Sequence, residues 1–208
     1  RIGGTKKFNF RKIESLKPDL IIGNKEENEQ GQIRALKKQY PVWISDIKTM
    51  DDAHDMIQQL GIITQTEAKA TALNLKIKNA FSNLEQEIAH NPLRQVAYLI
   101  WQNPYMAVAA DTFIDHLLNK AGFNNVFQNK TRYPVVTKEA LHQAAPAIIF
   151  LSSEPFPFKE KHIAELQKIC PRAVILLVDG ELFSWYGNRL LHAVPYFINL
   201  HKQLNELS

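Results

Sequence analysis

From Thr66 to His90 the chain runs 25 residues without a glycine or a proline, and Ala68, Ala72, Leu75, Ile77, Ala80, Leu84 and Ile88 recur at or near helical spacing. A helix of that length rises about 37 Å, the width of a domain, so it is stiff enough to tie two lobes together. Asn91-Pro92 ends it, because proline steers the residue before it away from helical backbone.

Both flanks alternate strand and helix. On the N-terminal side, helical Ile13 to Leu16 leads through the turn Lys17-Pro18-Asp19 to a buried strand, Leu20 to Gly23. A helix is expected over Glu27 to Tyr40, with Ile33, Leu36 and Tyr40 on one stripe, and a strand over Pro41 to Ile44. Strand, helix and strand within about 30 residues make a parallel βαβ unit. Thr49 or Asp51 caps the next helix, and Gly61 is expected to stop it.

The C-terminal side repeats the pattern. Strands are expected at Gln95 to Trp101, Ala147 to Leu151 and Ala173 to Val178, and helices at Thr112 to Ala121, Lys159 to Ile169 and Leu190 to Leu207. Lys17-Pro18-Asp19-Leu20-Ile21-Ile22 matches Ala145-Pro146-Ala147-Ile148-Ile149-Phe150 locally, and each is followed by a loop with an acid, Glu26 or Glu154. The fold class is therefore α/β: two Rossmann-like lobes with parallel sheets joined by one long helix. Residues 1–65 form the N-terminal lobe, 66–91 the helix and 92–208 the C-terminal lobe.

Composition narrows function by exclusion. A chain of 208 residues, 45% of them apolar, buries a core of its own, and its single cysteine, Cys170, rules out an internal disulfide. The net charge of +4 is spread along the chain, which favours no nucleic-acid partner. No apolar run has the length of a membrane span, and a chain that opens on Arg1 is expected to derive from something longer.

The seven histidines form no HxH or HxxxH pair, so no protein-made metal site is expected, and no P-loop, GxGxxG or GxSxG points to a cofactor or nucleophile. Asp111, Asp115 and His116 at a helix start are candidates for acid and base chemistry on a doubly wound scaffold. Acids in a first helical turn are equally what the helix dipole favours, and capping is the preferred reading.

What remains is aromatic. Trp101-Gln102-Asn103-Pro104-Tyr105 and Asp179-Gly180-Glu181-Leu182-Phe183-Ser184-Trp185-Tyr186-Gly187 each follow a strand, at the carboxyl edge where open parallel sheets bind ligands. Their rings either plug the lobe edge or clamp a large flat ligand.

Lys17-Pro18-Asp19-Leu20-Ile21-Ile22, Tyr40-Pro41-Val42-Trp43 and Gln59-Leu60-Gly61-Ile62-Ile63-Thr64 together resemble a known family. In order behind them come Asp111-Thr112-Phe113-Ile114-Asp115-His116, Ala121-Gly122-Phe123-Asn124-Asn125-Val126, Tyr133-Pro134-Val135-Val136-Thr137 and Phe183-Ser184-Trp185-Tyr186-Gly187-Asn188-Arg189. The family is the helical-backbone substrate-binding proteins of ABC importers, which carry cobalamin, ferric siderophores and haem; the cobalamin branch is the most similar.

The resemblance implies an extracytoplasmic, periplasmic or membrane-associated protein that captures a metal chelate between two lobes and delivers it to a permease, without catalysis. It also implies that the first lobe is N-terminally incomplete at Arg1. Trp101, Tyr105, Trp185 and Tyr186 would pack the ligand, with Asn103 and Arg189 as polar contacts. Because the family docks on its permease through one acid per lobe, it further implies that Glu29 and Glu154 meet transporter arginines.

Overall fold

A computed structural model describes residues 1–207. They form two compact units, one from Arg1 to Ile47 and one from Lys48 onward, so the long helix belongs to the second.

In the first unit a short antiparallel hairpin, β1 (Gly3–Gly4) and β2 (Lys7–Phe8), precedes α1 (Phe10–Leu16). Asn9 caps α1 by accepting from Lys12 N at 3.1 Å. Then come β3 (Ile21–Asn24), α2 (Gln30–Leu36) and β4 (Val42–Ser45), with β3 and β4 parallel as the βαβ pattern requires. Ile13, Ile33, Leu36 and Ile47 form the buried interior. The α2 helix starts three residues later than its apolar stripe suggests. Asn24 Oδ1 accepts from Glu26 N at 2.7 Å and Glu27 N at 3.3 Å, an Asx turn that holds this stretch out of the helix until Glu29 caps it.

The second unit opens with α3 (Met50–Ile63) and α4 (Glu67–Ile88), which pack on each other. Thr49 and Asp52 form a reciprocal capping box at the start of α3. Gly61 does not stop α3. It lies within the helix where α4 crosses, and a Cβ placed there would stand 2.5 Å from Ala70 Cβ, so the missing side chain sets the helix separation. The apolar stripe of α4 is also displaced from its expected face: Ala70, Ile77, Phe81 and Leu84 are buried, whereas Ala68, Ala72 and Leu75 lie about half a turn away and are exposed.

The sheet is built around β5 (Arg94–Trp101). On one edge β5 pairs in parallel with β8 (Ile148–Ser152), which pairs in parallel with β9 (Val174–Val178). Its other edge is shared. The β7 strand (Phe123–Asn125) runs parallel beside Arg94 to Val96, and β6 (Met106–Ala107) runs antiparallel beside Leu99 and Trp101. The helices α5 (Phe113–Lys120), α6 (Lys138–Ala144), α7 (Glu160–Ile169), α8 (Glu181–Ser184) and α9 (Leu190–Glu206) complete the unit. Val96 to Leu99 expose no surface, which suits a strand covered on both faces. Against β5 and β8, rings of Tyr98, Phe150 and Phe183 pack edge-on or tilted at 5.1 to 6.4 Å.

His201 of α9 is 2% exposed, stacks on Phe123 at 4.7 Å and lies 2.7 Å from the Ala121 carbonyl through Nε2. Burial pushes its pKa below the ordinary value, and the same holds for His116.

Two outcomes are expected. Gly61→Ala gains about 1 kcal/mol in helix propensity but meets an overpacking cost of about 1–3 kcal/mol, so it lowers the melting temperature, and adding Ala70→Gly restores it. For His201 the neutral form is the native one, so its contribution to stability is complete above the unfolded-state pKa of about 6.5 and is lost as pH falls through the lower folded value. Urea midpoints measured from about pH 7.5 to about pH 5.5 fall with acid, and His201→Phe makes that fall shallower.

Candidate functional site

The parallel strands β5, β8 and β9 end on one edge, with Leu99, Leu151 and Leu177 in register across them. Three loops leave that edge, one after each strand, and they hold most of the aromatic residues singled out from the sequence.

After β5, Trp101 is 39% exposed and stands edge-to-face on Phe156 at 5.6 Å. Gln102 turns inward, and its Nε2 donates to Glu165 Oε2 at 2.8 Å while Glu165 Oε1 accepts from Lys138 at 3.1 Å. The Lys138 hydrogen bond helps hold the Glu165 carboxyl below its usual range. Asn103 is exposed in left-handed backbone with φ 62°. Tyr105 is 5% exposed and belongs to the same buried cluster as Leu151, Phe158 and Leu166; burial pushes its phenol up to about 12.

After β9, the Asp179 N–H donates to Tyr196 Oη at 3.0 Å, and α8 carries the chain to Trp185. Trp185 is 54% exposed, with its indole N–H donating to Glu154 Oε1 at 3.0 Å. Tyr186 is half-buried and meets Phe113 edge-on at 5.4 Å. Arg189 pairs with Glu181 at 2.5 Å and approaches Asp179 at 3.8 Å, so its charge is matched within its own loop.

The loop after β8 supplies Phe156, which the sequence reading missed, and gives Glu154, read there only as a docking acid, a contact with Trp185. Phe156 backs Trp101, and Glu154 Oε1 accepts from Ser184 Oγ at 2.9 Å as well as from Trp185. Its one legible signal was Pro155-Phe156-Pro157-Phe158, a stiff aromatic stretch placed directly after a strand.

In the first unit Glu29 is exposed and caps α2, accepting from Gly31 N at 2.8 Å and Gln32 N at 2.7 Å. Those two N–H groups lower its pKa.

Asp111, Asp115 and His116 part company. Asp111 pairs with Lys48 at 2.6 Å, and Asp115 Oδ1 accepts from the buried Asn125 amide at 2.7 Å. His116 lines a separate hollow of about 340 Å³ with Glu85, Ile88 and Lys120. The three side chains assemble no common acid and base site.

Parallel strands ending on one edge, with helices between them and exposed tryptophans on the loops that follow, make this an α/β protein of the open-sheet type. Residues 1–169 match the family model described as periplasmic binding protein, and the chain belongs to that family. It is a binding protein rather than an enzyme. A vitamin B12-binding protein of Pectobacterium atrosepticum is 26% identical over 96% of this chain and 72% of its own length. Among solved structures, the periplasmic vitamin B12-binding protein of Vibrio cholerae superposes with a TM-score of 0.77 at 23% identity, covering 98% of this chain and 81% of that one. A periplasmic haem-binding protein from Pseudomonas aeruginosa gives 0.82 at 20% identity, over 96% and 77%. These two structural likenesses establish the fold. Among the described residues no helix is long and apolar enough to cross a membrane.

The Asn125 amide is fully engaged, donating to Val108 O at 3.1 Å as well as to Asp115, and Asn125 has no exposed surface. Asp115→Ala therefore strands a buried N–H and destabilises by about 1–3 kcal/mol in a thermal or urea melt. Asp115→Asn, which keeps an acceptor oxygen, loses less.

Proposed function

We propose that this chain captures a metal chelate such as cobalamin, haem or a ferric siderophore outside the cytoplasm and hands it to an ABC-type permease. The observation that carries this reading is the pair Trp101 and Trp185, 39% and 54% exposed on the loops at the carboxyl edge of one parallel sheet. Large apolar rings left in solvent at the place where open α/β sheets bind ligands act as stacking surfaces. The relatives that bind vitamin B12 and haem support the same class of cargo.

Tyr186 and Asn103, in the same two loops as these rings, are offered as further contacts, while Tyr105 is 5% exposed and contributes through the core of the first loop. Arg189, paired with Glu181, offers hydrogen-bond donors with little net charge. That arrangement suits polar side groups around a flat macrocycle better than a free anion. For delivery, Glu29 and Glu154 are the acids offered to the permease. Glu154 uses only Oε1 internally, and among the described residues nothing donates to its Oε2.

The test begins with colour. The protein is incubated with cyanocobalamin, haemin or a ferric siderophore, freed of excess ligand by gel filtration, and its visible absorption is recorded. One of the three spectra is expected to co-elute with the protein, and no co-elution with any of them refutes the reading. For the ligand retained, Trp185→Ala weakens affinity about thirtyfold, equivalent to about 2 kcal/mol, and leaves the melting temperature nearly unchanged. A fall in stability at constant affinity would instead make Trp185 a structural plug.

A further inference from the structure

We propose that Glu154 is a positioning residue: its carboxylate fixes the indole of Trp185 at the binding face, and through that ring it sets ligand affinity. The inference rests on the binding role proposed above for Trp185.

The ring has little else to hold it. Trp185 follows the last residue of α8 with extended backbone, φ −94° and ψ 122°, and more than half of its surface is exposed. Among the described residues no aromatic ring packs against it, and its side-chain hydrogen bond is the one to Glu154 Oε1 at 3.0 Å. The same oxygen lies 2.9 Å from Ser184 Oγ, whose single proton it shares with the Gly180 carbonyl at 2.8 Å, so one atom meets two consecutive residues of the loop. An indole N–H points outward in the plane of the ring. A partner there fixes rotation about the side-chain bonds and leaves the ring faces unobstructed.

Glu154 can hold the ring because it is itself held. Its carbonyl accepts from Ser152 Oγ at 2.6 Å, and that hydroxyl accepts from the fully buried Tyr98 Oη at 3.2 Å. From the neighbouring loop, Gly180 N donates to Ser153 Oγ at 2.9 Å. Gly180 approaches so closely that a Cβ there would stand 2.4 Å from Ser152 Oγ and 2.7 Å from Glu154 Cγ. A continuous chain of contacts therefore runs from the sheet core at Tyr98, through Ser152 and Glu154, to an exposed tryptophan. Fixing the ring before the ligand arrives lowers the ordering cost of binding.

The test reads the ring and the affinity separately. With Trp43 and Trp101 replaced by Phe, Trp185 is the sole tryptophan, and time-resolved anisotropy reports its motion. Glu154→Ala is expected to enlarge the fast nanosecond component. Glu154→Gln, which keeps an acceptor oxygen, is expected to leave it small, and so is Ser184→Ala, which removes the hydroxyl's contacts with Glu154 Oε1 and Gly180 O but leaves the indole's bond. Should Glu154→Ala fail to fold, Glu154→Met, of similar length and without the carboxylate, gives the same reading.

In the background with all tryptophans present, Glu154→Ala weakens binding of cyanocobalamin or haemin about tenfold. In a Trp185→Phe background, which has no indole N–H, it adds little further loss. Unchanged anisotropy in Glu154→Ala, or equal mobilisation by Ser184→Ala, overturns the positioning role, and so does an equal affinity loss in the Trp185→Phe background. If the ring is mobilised as expected while the unsubstituted protein retains neither ligand, the positioning of Trp185 stands and the assigned cargo fails.

Discussion

The second unit depends on the enclosure of β5. That strand has a hydrogen-bonding neighbour along both edges, with β8 on one side and β7 and β6 dividing the other. Its backbone groups are consequently satisfied inside the sheet, and Val96 to Leu99 expose no surface. A strand so placed admits apolar side chains, or a tyrosine whose hydroxyl is paired as at Tyr98, until the enclosure ends. It ends at Trp101, which is 39% exposed next to Ile100 at 8%. Parallel pairing then brings the ends of β8 and β9 to the same edge, so residues far apart in sequence become neighbours without any loop having to reach for them.

At that edge hydrogen bonds take over from apolar packing. The Tyr98 hydroxyl is buried among rings and finds its partner in Ser152 Oγ, whose proton goes to the Glu154 carbonyl. An unpaired hydroxyl in that place would be costly, so the pairing fixes the loop as firmly as it satisfies the phenol. Burial raises the Tyr98 pKa far above the ordinary range, and the phenol stays protonated as a donor. Asn125 does similar work at the other end of β5, joining Val108 O, Asp115 and Phe127 N through a single buried amide. Asp115 thus serves the fold, even though a carboxylate beside a histidine in sequence invites a chemical reading.

Long periodic elements were legible in the sequence, and short ones fixed by distant partners were not. Helix α5 lies between Thr112 and Ala121 as read, because Thr112 is a local cap for Asp115 N. The three-residue β7 was invisible, since Phe123 to Asn125 become a strand only by pairing with Arg94 to Val96. Gly61 misled for a related reason. A glycine near a helix end suggests a stop, whereas here it admits the side chain of Ala70 from a second helix. At the candidate site, Trp101 and Trp185 were found by their position after strands. Their anchoring contacts were not, because Phe156 and Glu154 come from a third loop, and Glu154, named from the sequence only as a docking acid, lies 31 residues from the ring it holds. Exposure also sorted residues that looked alike in sequence: Tyr105 turned into the core, and Arg189 was matched by Glu181.

The two tryptophans are supported by different forces, and the difference bears on how the proposed face works. Trp101 rests on Phe156 by edge-to-face apolar contact, which has broad geometry and tolerates small shifts. Trp185 is held by a hydrogen bond from its N–H to a carboxylate, which is directional and stronger than a neutral one. A face with one adaptable ring and one fixed ring can register a flat ligand against the fixed ring and adjust the other to its thickness. It also leaves apolar surface in water, at about 25 cal/mol for each Å² that stays uncovered. That cost is recovered only when something flat covers the rings, so the exposed tryptophans, unfavourable for the isolated fold, become the main source of affinity in the proposed complex.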